Sequence, residues 1–210
     1  MIGDICGAKK ITKLVQGEIM TVVQWRKEKS VAVLEMCNGH NRHNLVFAQQ
    51  FNGCLDEIEE DKEIFSIVIT SLDEKNFSQG VDIEWLGGRF GEQDFEAVKE
   101  FMYAMNTIFK RMLLMPMPVI AAINGHAFGN GAIMSCACDF RFMKKDKGFF
   151  CFPEVDVNIP FLPGMIAFVR KAVPEALFNE MILSGKRMTA PELEAGNVIL
   201  KASDNREGLM

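Results

Sequence analysis

Apolar residues fall along this chain in two rhythms, short nearly continuous runs and longer stretches at three- and four-residue steps, and the two alternate from end to end. Residues 19–24 and 31–36 are β-rich runs separated by Arg26-Lys27-Glu28-Lys29, which predicts a hairpin with a charged, solvated turn. After a loop at 37–44, Val46, Phe47, Phe51, Cys54, Leu55 and Ile58 recur at helical spacing, with an acidic outer face over 56–61. Residues 64–70 then form a short apolar run of the kind a parallel strand buried on both faces presents.

The same alternation continues. A polar loop at 71–79 precedes a long helical pattern over 93–115, which ends where Pro116 and Pro118 forbid its continuation. Residues 118–123 predict another buried strand, 124–129 a loop and 130–138 a short helix. Two further strands are predicted at 139–143 and 149–152, around a charged turn at 144–147. Helix over 165–184, broken at Pro174, and a last strand-like piece at 198–201 complete the pattern. Strands and helices alternating at these lengths imply an α/β fold with a largely parallel sheet.

Composition narrows the class. The chain has 210 residues, 49% hydrophobic and 24% charged, which fits one globular domain over 1–210 and excludes a disordered, collagenous or disulfide-framework protein. Its net charge is −5 and it has no cluster of basic residues, so neither nucleic acid nor a membrane surface is the expected partner. The six cysteines, at 6, 37, 54, 136, 138 and 151, lie mostly in apolar stretches with no metal-ligand spacing, and are expected to be reduced. No segment reaches the roughly 18 apolar residues of a membrane span, and residues 1–10 do not read as a signal peptide, so a cytoplasmic protein is expected.

Two loops carry the candidate chemistry, because each joins the end of a predicted buried strand to a following helix, where backbone N–H groups face a ligand. They are Asn76-Phe77-Ser78-Gln79-Gly80-Val81-Asp82 and Asn124-Gly125-His126-Ala127-Phe128-Gly129-Asn130-Gly131. Neither has dinucleotide or phosphate-loop spacing. Glycines at 80, 129 and 131 either permit tight turns or let two backbone N–H groups converge on one polar atom as an oxyanion hole. Spacing alone leaves both readings open.

The segment from Pro118 to Asp139, PVIAAINGHAFGNGAIMSCACD, resembles the signature of the crotonase, or enoyl-CoA hydratase/isomerase, superfamily. Phe77-Ser-Gln-Gly-Val-Asp82 resembles that family's first oxyanion-hole loop, and the segment from Phe152 to Pro160, FPEVDVNIP, its catalytic glutamate segment. The similarity extends from about Arg42-His43-Asn44-Leu45 to Ala190. It implies a spiral of β-β-α units, a trimer or dimer of trimers, and an acyl-CoA thioester as substrate, with no metal and no cofactor beyond the coenzyme A of the substrate. It also implies a helical C-terminal region, of which 186–210 would be only the start after a core over 1–185.

Carried over by position, the resemblance implies that the amides of Val81 and Asn130 hold the thioester oxygen. Asn130 stands where the family usually has glycine, and Ile133 where its hydratases have the first of two glutamates. Glu154 matches the second. One carboxylate suffices to move a double bond, so the pattern resembles the Δ3,Δ2-enoyl-CoA isomerases, shifting a 3-enoyl to a 2-enoyl thioester. Leu162 replaces an aspartate of the dienoyl-CoA isomerases. The alternatives are a hydratase, another crotonase-type reaction, or a non-catalytic acyl-CoA-binding subunit.

Gln79, Gly80, Asp82 and Gly129 belong to the two loops and are expected at the substrate. His43 and Asn44 fall where the CoA-binding loop runs, with His40 and Arg42 beside them. Trp85, Phe161 and Leu162 are expected to line the acyl chain, or equally to be plain core. Apolar neighbours of Glu154 predict a raised pKa. Asp156 would share its face if the segment is extended. Lys9, Lys10, Lys13, Arg26, Lys27 and Lys29 either attract CoA phosphates or are ordinary surface.

Overall fold

The computed structural model of the chain describes residues 20–205 and 208–209. Cys6, Lys9, Lys10, Lys13 and Ile19 lie outside the described residues. The chain begins with β1 (Val23–Glu28) and β2 (Val31–Met36), then β3 (Arg42–His43) and α1 (Leu45–Glu60). Next come β4 (Ser66–Ser71), β5 (Asn76–Ser78), β6 (Gly80–Val81), α2 (Ile83–Gly91) and α3 (Phe95–Leu114). The following turn is β7 (Val119–Ile123), β8 (His126–Phe128) and α4 (Asn130–Ala137). After β9 (Phe140–Lys144) and β10 (Phe150–Cys151) come a 3-10 turn at Pro153–Val155, α5 (Pro163–Ala172), α6 (Glu175–Ser184), α7 (Ala190–Ala195) and β11 (Lys201–Ser203).

This is a spiral of β-β-α units. The first strand of each turn enters a six-stranded sheet ordered β1-β2-β4-β7-β9-β11, parallel except for the β1–β2 hairpin. The second strands form smaller parallel layers, β10-β8-β5 and β3-β6. Strand ends that carry loops in the large sheet therefore run directly into short strands that aim those loops at one another.

Local chemistry explains the elements. Asn44 caps α1 by accepting the Phe47 N–H at 3.1 Å, and Phe47, Ala48, Phe51, Leu55 and Ile58 form the helix's buried stripe. In β4, Ile67 to Ser71 are buried on both faces, as a central parallel strand requires. Every residue of α4 is buried, which fits its small and apolar composition. Pro174 separates α5 from α6 at the expected break.

Several expectations are corrected. Arg26, Lys27 and Glu28 are not a turn but the end of β1; the turn is Lys29-Ser30, with Lys29 at φ 56°. Charge is tolerated there because β1 is an edge strand with one neighbour, and Arg26 and Lys27 find Glu35 and Asp61 at 3.2 and 2.9 Å. The 71–79 and 124–129 loops contain β5 and β8, strands of three residues that are too short to show a period. The two strands expected on either side of 144–147 are present as β9 and β10 and enter different sheets. Helices α2 and α7 escaped the pattern, α2 because it has no fully buried residue and α7 because it has six residues. Among the described cysteines, Cys136, Cys138 and Cys151 are buried, Cys37 and Cys54 half-buried, and all five are free.

The small layer depends on close backbone approach. A methyl group on Gly125 would lie 2.3 Å from the Lys75 carbonyl oxygen, which accepts the neighbouring His126 N–H at 2.9 Å. Gly125→Ala is therefore expected to destabilise the fold by about 1–3 kcal/mol or more, read as a lower midpoint in urea denaturation with an unchanged slope.

Candidate active site

Three segments distant in sequence meet at one place. Gly80, at φ +79°, lies so close to the second loop that a side-chain carbon there would be 2.8 Å from the Phe128 carbonyl oxygen and 3.1 Å from the Asn130 nitrogen. Asn130 is the first residue of α4, a position whose N–H has no acceptor within the helix. Gly129, at φ +52°, turns the chain into that helix, and a methyl group on it would sit 3.4 Å from Oε1 of Glu154. Val81 follows Gly80 in β6, so both loops and the carboxyl group occupy neighbouring positions.

Glu154 is fixed by the 3-10 turn that Pro153 opens, and its own carbonyl accepts the Ile159 N–H at 3.0 Å. Phe152, fully buried just before it, packs edge-on against the half-buried Phe161 at 6.1 Å. Glu154 is only 8% exposed, and its Oε2 is buried without a hydrogen-bond partner. Desolvation disfavours the charged form and raises its pKa from 4.5 to about 7, slightly opposed by a hydrogen bond from its own backbone. Asp156 does not share this environment. The segment is a tight turn, not an extended strand, and Asp156 faces Gly185 at the surface.

His43 is placed differently from the expected substrate contact. It is fully buried, stacked on Phe47 at 4.2 Å, and bonded by Nε2 to Ser78 Oγ and by Nδ1 to Asn130 Nδ2, each at 2.9 Å. Burial pushes its pKa down to about 3, so the ring is neutral. The one indirect signal of this cluster in the sequence is the side chain at 130 between two glycines.

Other expected residues divide. Asn44 and Asp82 cap α1 and α2 and are joined at 3.3 Å, while also lining a cavity of about 730 Å³ with His40 and Arg42. Gln79 lines a second cavity of about 350 Å³ with His40, Arg42, Lys75, His126 and Arg187. That gathering was not legible, since Arg187 is remote in sequence. His126 also accepts the Phe149 N–H at 3.1 Å, and burial, then the charges of Lys75 and Arg187, hold its pKa below the ordinary value. Trp85 packs on Phe101 at 5.3 Å, and Leu162, 40% exposed, begins α5 at the surface. Glu154 lines neither cavity.

Comparison with known proteins fits this geometry. A family model described as enoyl-CoA hydratase/isomerase matches residues 26–207. The peroxisomal enoyl-CoA delta isomerase 2 of Arabidopsis thaliana is 33% identical over 150 residues, 69% of this chain and 62% of that protein. A short-chain-enoyl-CoA hydratase of Clostridium acetobutylicum is 29% identical over 170 residues, 79% of this chain and 62% of that one. The chain thus spans about three-fifths of the length of these relatives. The crystal structure of an enoyl-CoA hydratase from Geobacillus kaustophilus superposes with a TM-score of 0.75 at 26% identity, covering 87% of this chain and 68% of the other.

The raised pKa of Glu154 has a sign that stability measurements read. Between about pH 4.5 and pH 7 the folded protein holds more protons than the unfolded one, so this group makes stability fall as pH rises through that window. Glu154→Gln removes the effect. Relative to the wild type, the variant is expected to gain up to about 3 kcal/mol between roughly pH 4 and pH 8, measured by denaturant titration at each pH.

Proposed function

The chain belongs to the enoyl-CoA hydratase/isomerase family, and from that premise we propose that it converts 3-enoyl-CoA to 2-enoyl-CoA. The observation that carries this reading is a buried carboxyl group, Glu154, whose Oε1 lies beside Gly129, whose Oε2 has no hydrogen-bond partner, and whose pKa is about 7. Such a group accepts a proton near neutral pH and gives it back, which a base in the ordinary carboxylate range does less well.

In the proposed reaction the thioester carbonyl lies against the amides of Val81 and Asn130. Glu154 removes a proton from C2 of the 3-enoyl chain. The electron pair moves into the carbonyl, forming an enolate whose oxygen the two N–H groups stabilise. Collapse of the enolate shifts the double bond to C2–C3, and the proton on Glu154 passes to C4. No water is consumed. Adding water to a 2-enoyl chain would call for a second polar group to position it, and Ile133, at the corresponding place on α4, is fully buried and apolar. The similarity to a hydratase keeps hydration as the second reading.

The basic cavity supports a coenzyme A thioester as the substrate. Arg42, Lys75 and Arg187 line it with His40 and His126 and no acidic side chain, an arrangement complementary to phosphate groups. The trimer or dimer of trimers that the family resemblance implies belongs to the same proposal. So does a cytoplasmic location, against which stands the peroxisomal description of the Arabidopsis relative. Among the described residues, no helix is long and apolar enough to cross a membrane.

Assays with 3-enoyl-CoA and 2-enoyl-CoA separate isomerisation from hydration, and faster hydration would reverse the assignment. Glu154→Gln is expected to lower isomerisation about 10²–10⁴-fold with CoA affinity retained. In the wild type, kcat/KM should rise with pH as Glu154 loses its proton and level off above about pH 7.

A further inference from the structure

The two loops that meet at Glu154 are rich in glycine, so nothing in their own sequence fixes where their amides point. Gly80, Gly129 and Gly131 all flank the residues concerned, and the first two have positive φ. A buried side-chain chain crosses between the loops at this place. Asn130 Nδ2 bonds His43 Nδ1 at 2.9 Å, and His43 Nε2 bonds Ser78 Oγ at 2.9 Å. Ser78 Oγ in turn accepts the Gly80 N–H at 3.1 Å and donates to the Asn41 carbonyl at 2.7 Å.

With Asn130 presenting its Nδ2 to the ring and Ser78 donating to Asn41, the proton positions along this chain follow. The Ser78 hydroxyl has one hydrogen, which goes to Asn41, so towards His43 it is an acceptor and Nε2 carries the ring proton. Nδ1 is then bare and accepts from the Asn130 amide nitrogen. A charged imidazolium would set two donors against each other, and the deep burial of His43 keeps the ring neutral. The backbone of His43 adds a second grip. It lies opposite Val81 in the β3–β6 pair, and its carbonyl accepts the Asp82 N–H at 2.9 Å. One residue therefore holds Val81 through its main chain and Asn130 through its ring.

We propose that His43 is a positioning residue which, through Asn130 and Ser78, braces the Val81 and Asn130 amides into a fixed pair facing the substrate carbonyl. This rests on the reading that those two amides bind the thioester oxygen. His43 never touches the substrate in this account. Its stacking on Phe47 at 4.2 Å fixes the ring plane, which sets the direction in which Nδ1 can hold Asn130.

The test uses a coenzyme A thioester of a dialkylaminocinnamate, whose absorption moves to longer wavelength when its carbonyl is polarised. The wild type and Glu154→Gln are expected to produce the full shift on binding. Asn130→Gly, which keeps the amide and removes the side chain, and His43→Phe, which keeps the stacking and removes the ring nitrogens, are expected to lose half or more of it. Their kcat for isomerisation should fall about 10–100-fold, the scale of a misplacement near 1 Å, with KM within about threefold. Circular dichroism reports folding, and if His43→Phe does not fold, Asn130→Gly alone decides. A full shift and unchanged kcat in Asn130→Gly would overturn the brace and leave the site reading standing; so would a rise confined to KM. A wild type that binds the probe with no shift would overturn the amide reading and the brace together.

Discussion

The meeting of two loops without room for a side chain between them is the constraint on which the rest of the molecule depends. Gly80 presses its α-carbon towards the Phe128 carbonyl and the Asn130 nitrogen, and Gly131 is packed equally tightly on Ser78, where an added methyl group would be 2.6 Å from the serine Cβ. Strand β6 and helix α4 are thereby locked at van der Waals distance. The spiral makes this possible, because each turn carries its chain from the large sheet into the smaller layer before the helix begins. Loops from successive turns are thereby brought into contact, Gly80 against Phe128 and Asn130.

Against that rigid corner the protein sets an expensive group. A carboxyl buried with one oxygen unpartnered costs free energy when charged, and the rise of the Glu154 pKa to about 7 expresses that cost. The surrounding apolar packing of Phe150 and Phe152, both fully buried, keeps water away. In the proposed reaction the destabilised charge is the useful one, since a base that readily takes a proton from carbon is also one that returns it. The neutral, fully buried His43 shows the same physics with the opposite sign. Burial raises the pKa of an acid and lowers that of a base, so His43 is neutral at physiological pH while Glu154 changes charge near pH 7.

Charged side chains gather over a wider surface than the corner itself. The basic cavity draws Arg42 from β3, Lys75 from the start of β5, His126 from β8 and Arg187 from the stretch before α7. Burial, and after it the charges of Lys75 and Arg187, lower the pKa of His126, and no acidic side chain lines the cavity. Asn44 and Asp82, at the other cavity, serve first as helix caps, so the elements that carry the loops are anchored by the same residues that border the opening.

Local pattern was enough to order the strands and most helices, because helical stripes such as Phe47–Phe51–Leu55–Ile58 and continuous runs such as Ile67–Val68–Ile69 are written in nearest-neighbour spacing. It was also enough to mark Glu154 and the two glycine loops as candidates. It failed at β3, β5, β6 and β8, whose two or three residues have no period, and at the 26–29 charges, which an edge strand tolerates and a central one would not. The apolar neighbours of Glu154 already pointed to its raised pKa, whereas where the His43 ring points and that Arg187 joins Arg42 and Lys75 were decided by tertiary structure alone. Hydrogen-bond partnership and the gathering of charges depend on residues brought together from distant parts of the chain, and no local run of side chains contains that information.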